Sequence, residues 1–363
     1  AARRTVRPVT TVRNRSALTD HGNREARRHL LDVAAAAVDA VHPRRTVPAT
    51  VARDGDRLRI GDRTFDLSAV DDVFLVGAGK GSAAVAADLV AVLGDRLADG
   101  VVAAKAGGER SPDGVTALGA GHPVPDGTSL RAGRRVRGIA DAAGPDDLVI
   151  AAITGGASAT LVAPADGLSL ADLATTTETL LRAGLRIDEI NAVRTHCSTL
   201  KGGRLARRVA PATLVTLVVV DETAGDPWGP TVGDEATFAD ALSVLDRHDL
   251  TDAVPPAVLD HLRRGAAGAV RETPTRDALD GHVVVLAGPT DAVEAARDRA
   301  ADRGYTPLIL SSTVEGESRE VATCLSAVAR EVATHGRPVA PPCVLVSGGE
   351  TTVRVGSDAG DGG

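Results

Sequence analysis

The chain has 363 residues, of which 43% are hydrophobic and 25% are charged, and both fractions are typical of globular proteins. This composition excludes a disordered, collagen-like or disulfide-scaffold protein, and the length is sufficient for two domains. The longest strongly apolar run, Leu214 to Val220, is far shorter than the roughly 20 residues of a membrane-spanning helix, and the net charge of −7 argues against a nucleic-acid partner.

The N-terminal residues are unusually basic, since the first 28 contain eight arginines. A transit peptide can have this composition, but no apolar segment accompanies the arginines, which favours a solvated tail. We therefore expect residues 1–24 to be a disordered basic leader. The three cysteines are far apart and form no CxxC pair, which argues against a disulfide framework or a zinc site and indicates a reducing, cytoplasmic compartment.

Strands and helices are predicted to alternate along most of the chain. The first helix covers Glu25 to Val41 and ends at Pro43, and short alternating strands follow up to Leu67. The later predicted elements are a β-turn-α unit from Val73, a strand at 100–105, a helix after Pro125, a strand at 148–154, helices at 169–183 and within 187–209 with a break at Gly202-Gly203, a strand at 213–221, helices at 238–246 and 257–264, a strand at 282–288, a helix at 291–303, a strand at 305–310, a helix at 318–334 and a strand ending near Glu350.

This alternation predicts an α/β fold with mainly parallel sheets covered by helices. A polar, proline-containing stretch at 272–281 is the predicted linker between a large domain at 25–271 and a smaller α/β domain at 282–363. Ligands of such sheets bind beyond the carboxyl ends of the strands, so the junctions after the strands are the candidate sites.

Two glycine-rich junctions could hold an anion. Gly77, Gly79, Lys80 and Ser82 follow the first apolar strand, but they complete neither a Walker A loop nor a dinucleotide fingerprint. A tight structural turn would explain the glycines equally well, and the lysine at the helix start favours phosphate or carboxylate binding. The second junction contains Gly155, Gly156 and Ser158, and it lacks the second glycine of a nucleophile elbow.

Four further segments contain candidate residues. If residues 189–204 are helical, Asn191, Arg194 and Ser198 share one face and Lys201 follows; a solvated basic face is the alternative. Asp221 follows a hydrophobic strand, where an acid can bind Mg²⁺ or accept a proton, and Asp226 is the second candidate. The third segment contains His122, a histidine in a turn, which is more often structural than catalytic. The fourth contains the glycine pair Gly348 and Gly349 near the C-terminal end.

Taken together, VGAGKGSA, GHPVPD, TGGASA, EINAVRTHCSTLKGGRLA, the VVVDETAGDPWGPT loop and SGGETT resemble the glycerate 2-kinase family, which combines a DUF4147 domain with a MOFRL domain and is also labelled hydroxypyruvate reductase. The resemblance runs from about Leu30 to the end. It implies a Rossmann-like larger domain, a smaller MOFRL-type domain, and phosphorylation of D-glycerate to 2-phosphoglycerate by ATP with Mg²⁺ in the cleft between the domains.

The resemblance also implies roles for individual residues. Lys80, Asp221 and Arg194 would be catalytic, and Asp221 and Asp226 would bind the metal. The substrate would contact Gly155, Gly156, Ser158, His196 and Lys201, with Arg194 and Lys201 on its carboxylate or on the transferred phosphate. The cofactor would contact Gly77, Gly79, Ser82, Gly348 and Gly349. The expected assembly is a homodimer that binds no nucleic acid and no membrane.

The family's C-terminal signature continues beyond the SGGETT motif, so the resemblance implies that this chain ends within that signature. Thr195 replaces a residue that is commonly basic, and the segment after Asp221 is shorter than usual. Two alternatives therefore stay open. The first is an NAD(P)H-dependent hydroxypyruvate reductase, which the incomplete dinucleotide fingerprint argues against, and the second is a non-catalytic anion-binding protein.

Overall fold

The computed structural model of the chain describes residues 9–107, 111–220 and 228–353. Contacts between residues divide the chain into two compact units. The larger unit runs from Val47 to Val219 and includes the later segment that ends at Leu286. The smaller unit combines the N-terminal segment up to Thr46 with the C-terminal segment from Ala287.

Helices and strands alternate through both units. The helices are α1 (Arg15–Thr19), α2 (Arg24–Val41), α3 (Pro43–Thr50), α4 (Ser82–Leu93), α5 (Gly127–Ala142), α6 (Ala157–Thr160), α7 (Leu170–Arg182), α8 (Ile187–His196), α9 (Arg204–Val209), α10 (Phe238–Arg247), α11 (Pro256–Ala266), α12 (Pro289–Asp302) and α13 (Ser318–His335). The strands are β1 (Val51–Asp54), β2 (Arg57–Ile60), β3 (Arg63–Asp66), β4 (Val73–Ala78), β5 (Leu97–Lys105), β6 (Val115–Ala120), β7 (Leu148–Ile153), β8 (Thr213–Val219), β9 (His282–Ala287), β10 (Thr306–Val314) and β11 (Cys343–Gly349).

A six-stranded sheet in the order β6-β5-β4-β7-β8-β9 organises the larger unit. The pairs from β6 through β8 are all parallel. The chain builds outward from β4 to one side and then returns to place β7 on its other side, so the strand order reverses between these two neighbours. Such a reversal opens a crevice at the carboxyl ends of the strands, which is where α/β sheets bind ligands.

The central strands are buried on both faces of the sheet. Every residue of β7 is buried, and the apolar side chains of β4 belong to the same core cluster as those of α4. This double burial explains why the strands are continuous apolar runs rather than alternating patterns. A second core surrounds Phe238, where α7, α8, α10 and α11 pack together.

The smaller unit is also α/β. Strands β10 and β11 pair in parallel, and α12 packs against both of them and against α2. Its core contains Val33, Val293, Ala300, Val344 and Val346. The predicted α/β class, with a mainly parallel sheet in the larger part and a smaller α/β part, is therefore confirmed.

Some predicted features need correction. The leader was expected to be disordered, but residues 15–19 form α1, and Arg15 forms an ion pair with Asp32 of α2. Helix α3 begins at Pro43, where only the end of a helix was expected, because proline is well tolerated in a first helical turn. Strand β6 was not anticipated. The contact-based units also place α2 with the C-terminal segment, so the contiguous boundaries at 25–271 and 282–363 stay a prediction.

Among the described residues, no helix has both the length and the apolar character needed to cross a membrane.

Candidate functional site

The two predicted glycine turns meet at the carboxyl edge of the sheet, between β4 and β7. The amide of Lys80 donates to the carbonyl of Gly155 over 2.7 Å. The hydroxyl oxygen of Thr154 accepts from the amide of Gly81 at 3.0 Å, and that of Thr160 accepts from the amide of Gly79 at 3.0 Å. The β4–α4 turn and the β7–α6 turn therefore form one hydrogen-bonded structure at the sheet's reversal point.

Gly79 and Gly77 are glycines for different structural reasons. Gly79 has a φ of +112°, and a Cβ atom built on it would lie 2.0 Å from the carbonyl oxygen of Thr154, so only glycine fits. Gly77 lies within β4, where a Cβ atom would meet Val102 at 2.7 Å. Gly77 was predicted to contact the cofactor, but its position is explained by close packing between strands.

Lys80 lies beside the second turn with its side chain exposed. Gly156 has a φ of +86°, and a Cβ atom there would lie 3.2 Å from Cγ of Lys80 and 2.9 Å from the ring of His122. The stem of Lys80, the bare backbone of Gly156 and the imidazole of His122 are thus in mutual proximity. This grouping places the exposed lysine beside a glycine turn that has no room for a side chain, and a cation at such a turn suits a phosphate or a carboxylate.

Ser82 has a structural role in this turn. Its side chain is fully buried, and its hydroxyl lies 2.9 Å from the carbonyl oxygen of Gly79 and 3.2 Å from that of Ala103. A hydroxyl has a single proton to donate, and both neighbours are acceptors within the fold. The predicted contact of the Ser82 side chain with a cofactor therefore has no support in its orientation.

Lys201 extends from the segment after α8 to the end of α6. Its ammonium nitrogen donates to the carbonyl oxygens of Ser158 at 2.5 Å and Leu161 at 3.1 Å, and the residue is only 7% exposed. Burial, followed by the nearby charge of Arg194, lowers the pKa of Lys201 well below its ordinary value of 10.5.

Arg194, Lys201 and Ser158 line one small cavity of about 10 Å³, which is close to the minimum for a single water molecule. The guanidinium of Arg194 donates to the side-chain oxygen of Asn191 over 2.7 Å. The predicted hold of Arg194 and Lys201 on a glycerate carboxylate needs far more space than this conformation provides. Instead, Lys201 fixes the position of the α6 segment, which begins with the Gly155–Gly156 turn.

The buried amine of Lys201 predicts a distinctive pH dependence of stability. The unfolded chain keeps the Lys201 proton up to about its ordinary pKa of 10.5, whereas the folded chain releases it at lower pH. Between these two pKa values the unfolded state binds more protons, so the free energy of unfolding should rise with pH. We expect Lys201→Met to remove this rise, as measured by urea unfolding at increasing alkaline pH.

The matched control for this prediction is Lys105→Met, because Lys105 is exposed at the end of β5. It should keep the pH dependence of the unsubstituted chain. If the free energy of unfolding changed with pH in the same way in the unsubstituted chain and in Lys201→Met, the lowered pKa of Lys201 would be contradicted.

His196 was predicted to contact the substrate, but its side chain is buried inside the larger unit. Nδ1 donates to the carbonyl of Ala192 at 2.6 Å, and Nε2 lies 2.8 Å from a carboxylate oxygen of Glu272. Burial alone would raise the pKa of Glu272, but hydrogen bonds from the amides of Phe238 and Thr273 and the contact with His196 together lower it below the ordinary value. With both ring nitrogens engaged in the fold, His196 is a structural residue of the helical core.

The helical face expected for residues 189–204 is also shorter than predicted. Helix α8 ends at His196, and Ser198 lies in an isolated bridge with Pro164 instead of on the same helix as Arg194. The predicted break at Gly202-Gly203 is confirmed, since both residues have positive φ and α9 begins directly after them.

Four of the predicted site residues lie elsewhere in the sequence: Asp221, Asp226, Gly348 and Gly349. Asp221 and Asp226 lie outside the described residues. Gly348 and Gly349 are in β11 of the smaller unit; a Cβ atom on Gly348 would meet Val293 at 2.7 Å, and one on Gly349 would lie 2.2 Å from the carbonyl oxygen of Val314. Within the described ranges, no group of three or more His, Cys, Asp or Glu side chains could hold a metal ion.

Sequence reasoning missed several residues that shape the larger unit. Thr160 and Glu272 hold the turns and the buried histidine, and their neighbours in space are distant in sequence. His122 was interpreted as structural, although the GHP triplet after an apolar stretch could have indicated its place near Lys80. The arginines around α9 and α11 were not singled out at all.

Comparison with known proteins identifies relatives over most of the chain. The profile of the family described as "Domain of unknown function (DUF4147)" matches residues 29–263. The glycerate 2-kinase of Pyrococcus horikoshii is 34% identical over 330 residues, covering 90% of this chain and 74% of the relative. A protein of Agrobacterium vitis provisionally named a hydroxypyruvate reductase is 42% identical over 288 residues, covering 78% of this chain and 73% of the relative.

Comparison with solved structures identifies a protein of the same kind. The crystal structure of glycerate kinase from Thermotoga maritima superposes with a TM-score of 0.76 at 30% sequence identity, covering 92% of this chain and 76% of the other. A match of this breadth, in both sequence and fold, identifies the family. The chain belongs to the DUF4147 family, the family of the glycerate 2-kinases.

Proposed function

We propose that the chain transfers a phosphoryl group from ATP to D-glycerate, with the structure formed by the β4–α4 and β7–α6 turns as its anion-binding centre. The observation that carries the proposal is the convergence of Lys80, Gly156 and His122 at the reversal point of the sheet. Relatives named glycerate 2-kinase and D-glycerate 2-kinase, from P. horikoshii and T. maritima, support the same activity.

Phosphoryl transfer requires positioning and charge stabilisation more than covalent chemistry from the protein. The exposed cation of Lys80 can stabilise the charge that develops on the transferred group, and its Cγ lies beside Gly156. The absence of a side chain on Gly156 lets the Lys80 stem and the His122 ring lie close together, which places the lysine cation at this turn for an oxyanion. In this proposal Lys80 is the catalytic residue, and Lys201 positions the α6 segment through the carbonyls of Ser158 and Leu161.

Mg²⁺, when bound with the nucleotide, supplies charge neutralisation on the phosphates. The described groups around Lys80 are nitrogen and hydroxyl groups, which suit anions, whereas Mg²⁺ prefers carboxylate oxygens. The assignment of Asp221 and Asp226 as ligands, the choice of the C2 hydroxyl, the interdomain location of the reaction, the homodimer and the cytoplasmic location stay predictions.

The name shared by the A. vitis relatives supports a second candidate, NAD(P)H-dependent reduction of hydroxypyruvate. Two features argue against it. Ser82 occupies the position of the third fingerprint glycine, and β5 ends at Lys105 rather than at an acid that could bind the ribose. The phosphoryl-transfer proposal therefore agrees better with the residues at this edge of the sheet.

The purified chain should form ADP from ATP only when D-glycerate is present. A coupled enzymatic assay measures ADP, and the absorbance of NADH or NADPH with hydroxypyruvate measures the competing activity in parallel. Oxidation of the nicotinamide without ADP formation would overturn the proposal. Calorimetric binding of glycerate with no turnover in either assay would instead indicate a non-catalytic anion-binding protein.

A further inference from the structure

A second cavity of the larger unit, distinct from the Lys80 turn, is strongly basic. It has a volume of about 590 Å³, within the usual range for small-molecule sites. Its lining includes five arginines, and among the described lining residues Asp166 is the sole carboxylate. The arginines are Arg204, Arg207, Arg208, Arg264 and Arg271.

The fold concentrates these cations by helix geometry. Arg204, Arg207 and Arg208 stand at three- and four-residue spacing on α9, so they share one face. Arg264 lies in the last turn of α11, and Arg271 follows that helix. The wall between the two groups contains the buried rings of His196 and His261.

Carboxylates offset part of this charge, and Glu272 and Asp234 both act on Arg204. Arg208 pairs with Asp141 at 2.7 Å, and Arg204 and Arg207 donate to the main-chain carbonyls of Thr195 and Glu272. The carboxylate of Glu272 is already engaged by His196 and by two main-chain amides. Within the described part of the chain, neither Arg264 nor Arg271 has an ion-pair partner.

The crowding of positive charge affects the neighbouring groups. Burial and then the nearby Arg271 lower the pKa of Arg207 below its ordinary value. Burial also lowers the pKa of His261, and the charges of Arg264 and Arg204 contribute to the same shift. A bound anion would relieve this repulsion, and the planar forks of arginine match phosphate oxygens in pairs.

We propose that this arginine cavity binds a small molecule that carries two or more phosphate groups. Several cations on two walls suit a multiply charged ligand better than a single carboxylate. A nucleic-acid strand fits less well, because the described lining has no Phe, Tyr or Trp on which bases could stack, and the chain has a net charge of −7. The proposal holds whether or not the chain phosphorylates glycerate.

Titration calorimetry of the full chain with tripolyphosphate, at low salt, tests the proposal. We expect a saturable binding event that persists in Lys80→Gln, in which the Lys80 turn no longer contributes, and binding of inorganic phosphate to the cavity at least roughly tenfold weaker. The double variant Arg264→Gln/Arg271→Gln should weaken tripolyphosphate binding by roughly tenfold or more. Both residues are exposed, so the variant should fold, and Arg207→Gln on α9 gives a second readout from the same cavity.

Two controls locate the binding. The variant Arg263→Gln/Arg276→Gln removes the same charge from exposed, described residues that do not line the cavity, and its affinity should change less than about twofold. Lys80→Gln should remove any additional tripolyphosphate binding at the Lys80 turn and retain the affinity of the arginine cavity. The proposal is overturned by an absence of saturable binding, by equal losses in the two double variants, by loss in Lys80→Gln instead, or by tighter binding of a single-stranded RNA oligomer.

Discussion

Replacing Lys80 by glutamine should lower kcat/KM for ADP formation with D-glycerate by roughly 100-fold or more, which is the scale found for removing one preorganised charge-stabilising group. The reason is the position of Lys80, whose stem packs beside Gly156 while its ammonium group is exposed. Glutamine retains most of the stem and loses the charge. A loss concentrated in kcat would place the interaction in the transition state rather than in substrate binding.

Lys105→Gln is the matched control, since Lys105 is an exposed lysine at the end of the neighbouring strand β5. Its kcat/KM should stay within about twofold of the unsubstituted chain, because surface substitutions away from the site have small effects. Equal activity in Lys80→Gln and the unsubstituted chain would remove Lys80 from the mechanism.

Gly79→Ala should strongly destabilise the larger unit, by about 3 kcal/mol or more in the free energy of unfolding. The new methyl group would meet the carbonyl oxygen of Thr154 at 2.0 Å, and a φ of +112° is strained for alanine. The new Cβ atom and the carbonyl oxygen of Thr154 are both fixed by the main chain, so rotation of a side chain cannot relieve the clash. Urea unfolding monitored by circular dichroism measures the loss, and activity should fall with it because the two turns separate.

Gly81→Ala provides the comparison at the same turn. A Cβ atom there would lie 3.6 Å from the side chain of Thr154, an ordinary contact, and its φ is not positive. Its free energy of unfolding should therefore stay within about 1 kcal/mol of the unsubstituted chain. If the two variants were equally stable, the close junction of the turns would not exist in solution.

The sequence was informative where local pattern and fold agree. Apolar runs ended by glycine located β4 and β7, and parallel pairing then brought the Gly79 and Gly155 turns to one edge of the sheet. A capping serine correctly placed the start of α7 after Ser169. Both signals depend on neighbouring residues, which is why they could be interpreted without coordinates.

Burial and long-range pairing could not be predicted in the same way. Lys201 was expected to face a substrate because lysine is scarce in this chain and the residue matches the family pattern, but its partners are main-chain carbonyls about 40 residues earlier in the chain. His196 pairs with Glu272, 76 residues later. No spacing rule connects such residues, since their proximity depends on how α6, α8 and α10 pack.

The arginine cavity shows the same limit. Arg204 and Arg208 on α9 could be recognised as one face, but nothing in the sequence indicates that Arg264 and Arg271 lie opposite them. A run of arginine in a chain with 41 basic residues resembles a solvated surface. Only the fold shows that these arginines line one cavity.

Lysine labelling tests most directly whether the anions of the reaction are held at the Lys80 turn. The chain has three lysines, of which Lys80 and Lys105 are exposed and Lys201 is buried, so each serves as a reference for the others. Amine modification followed by peptide mass spectrometry gives the rate at every site. We expect ATP with D-glycerate to slow modification of Lys80 and to leave the rate at Lys105 unchanged; an unchanged rate at Lys80 under saturating ligands would contradict binding at this turn.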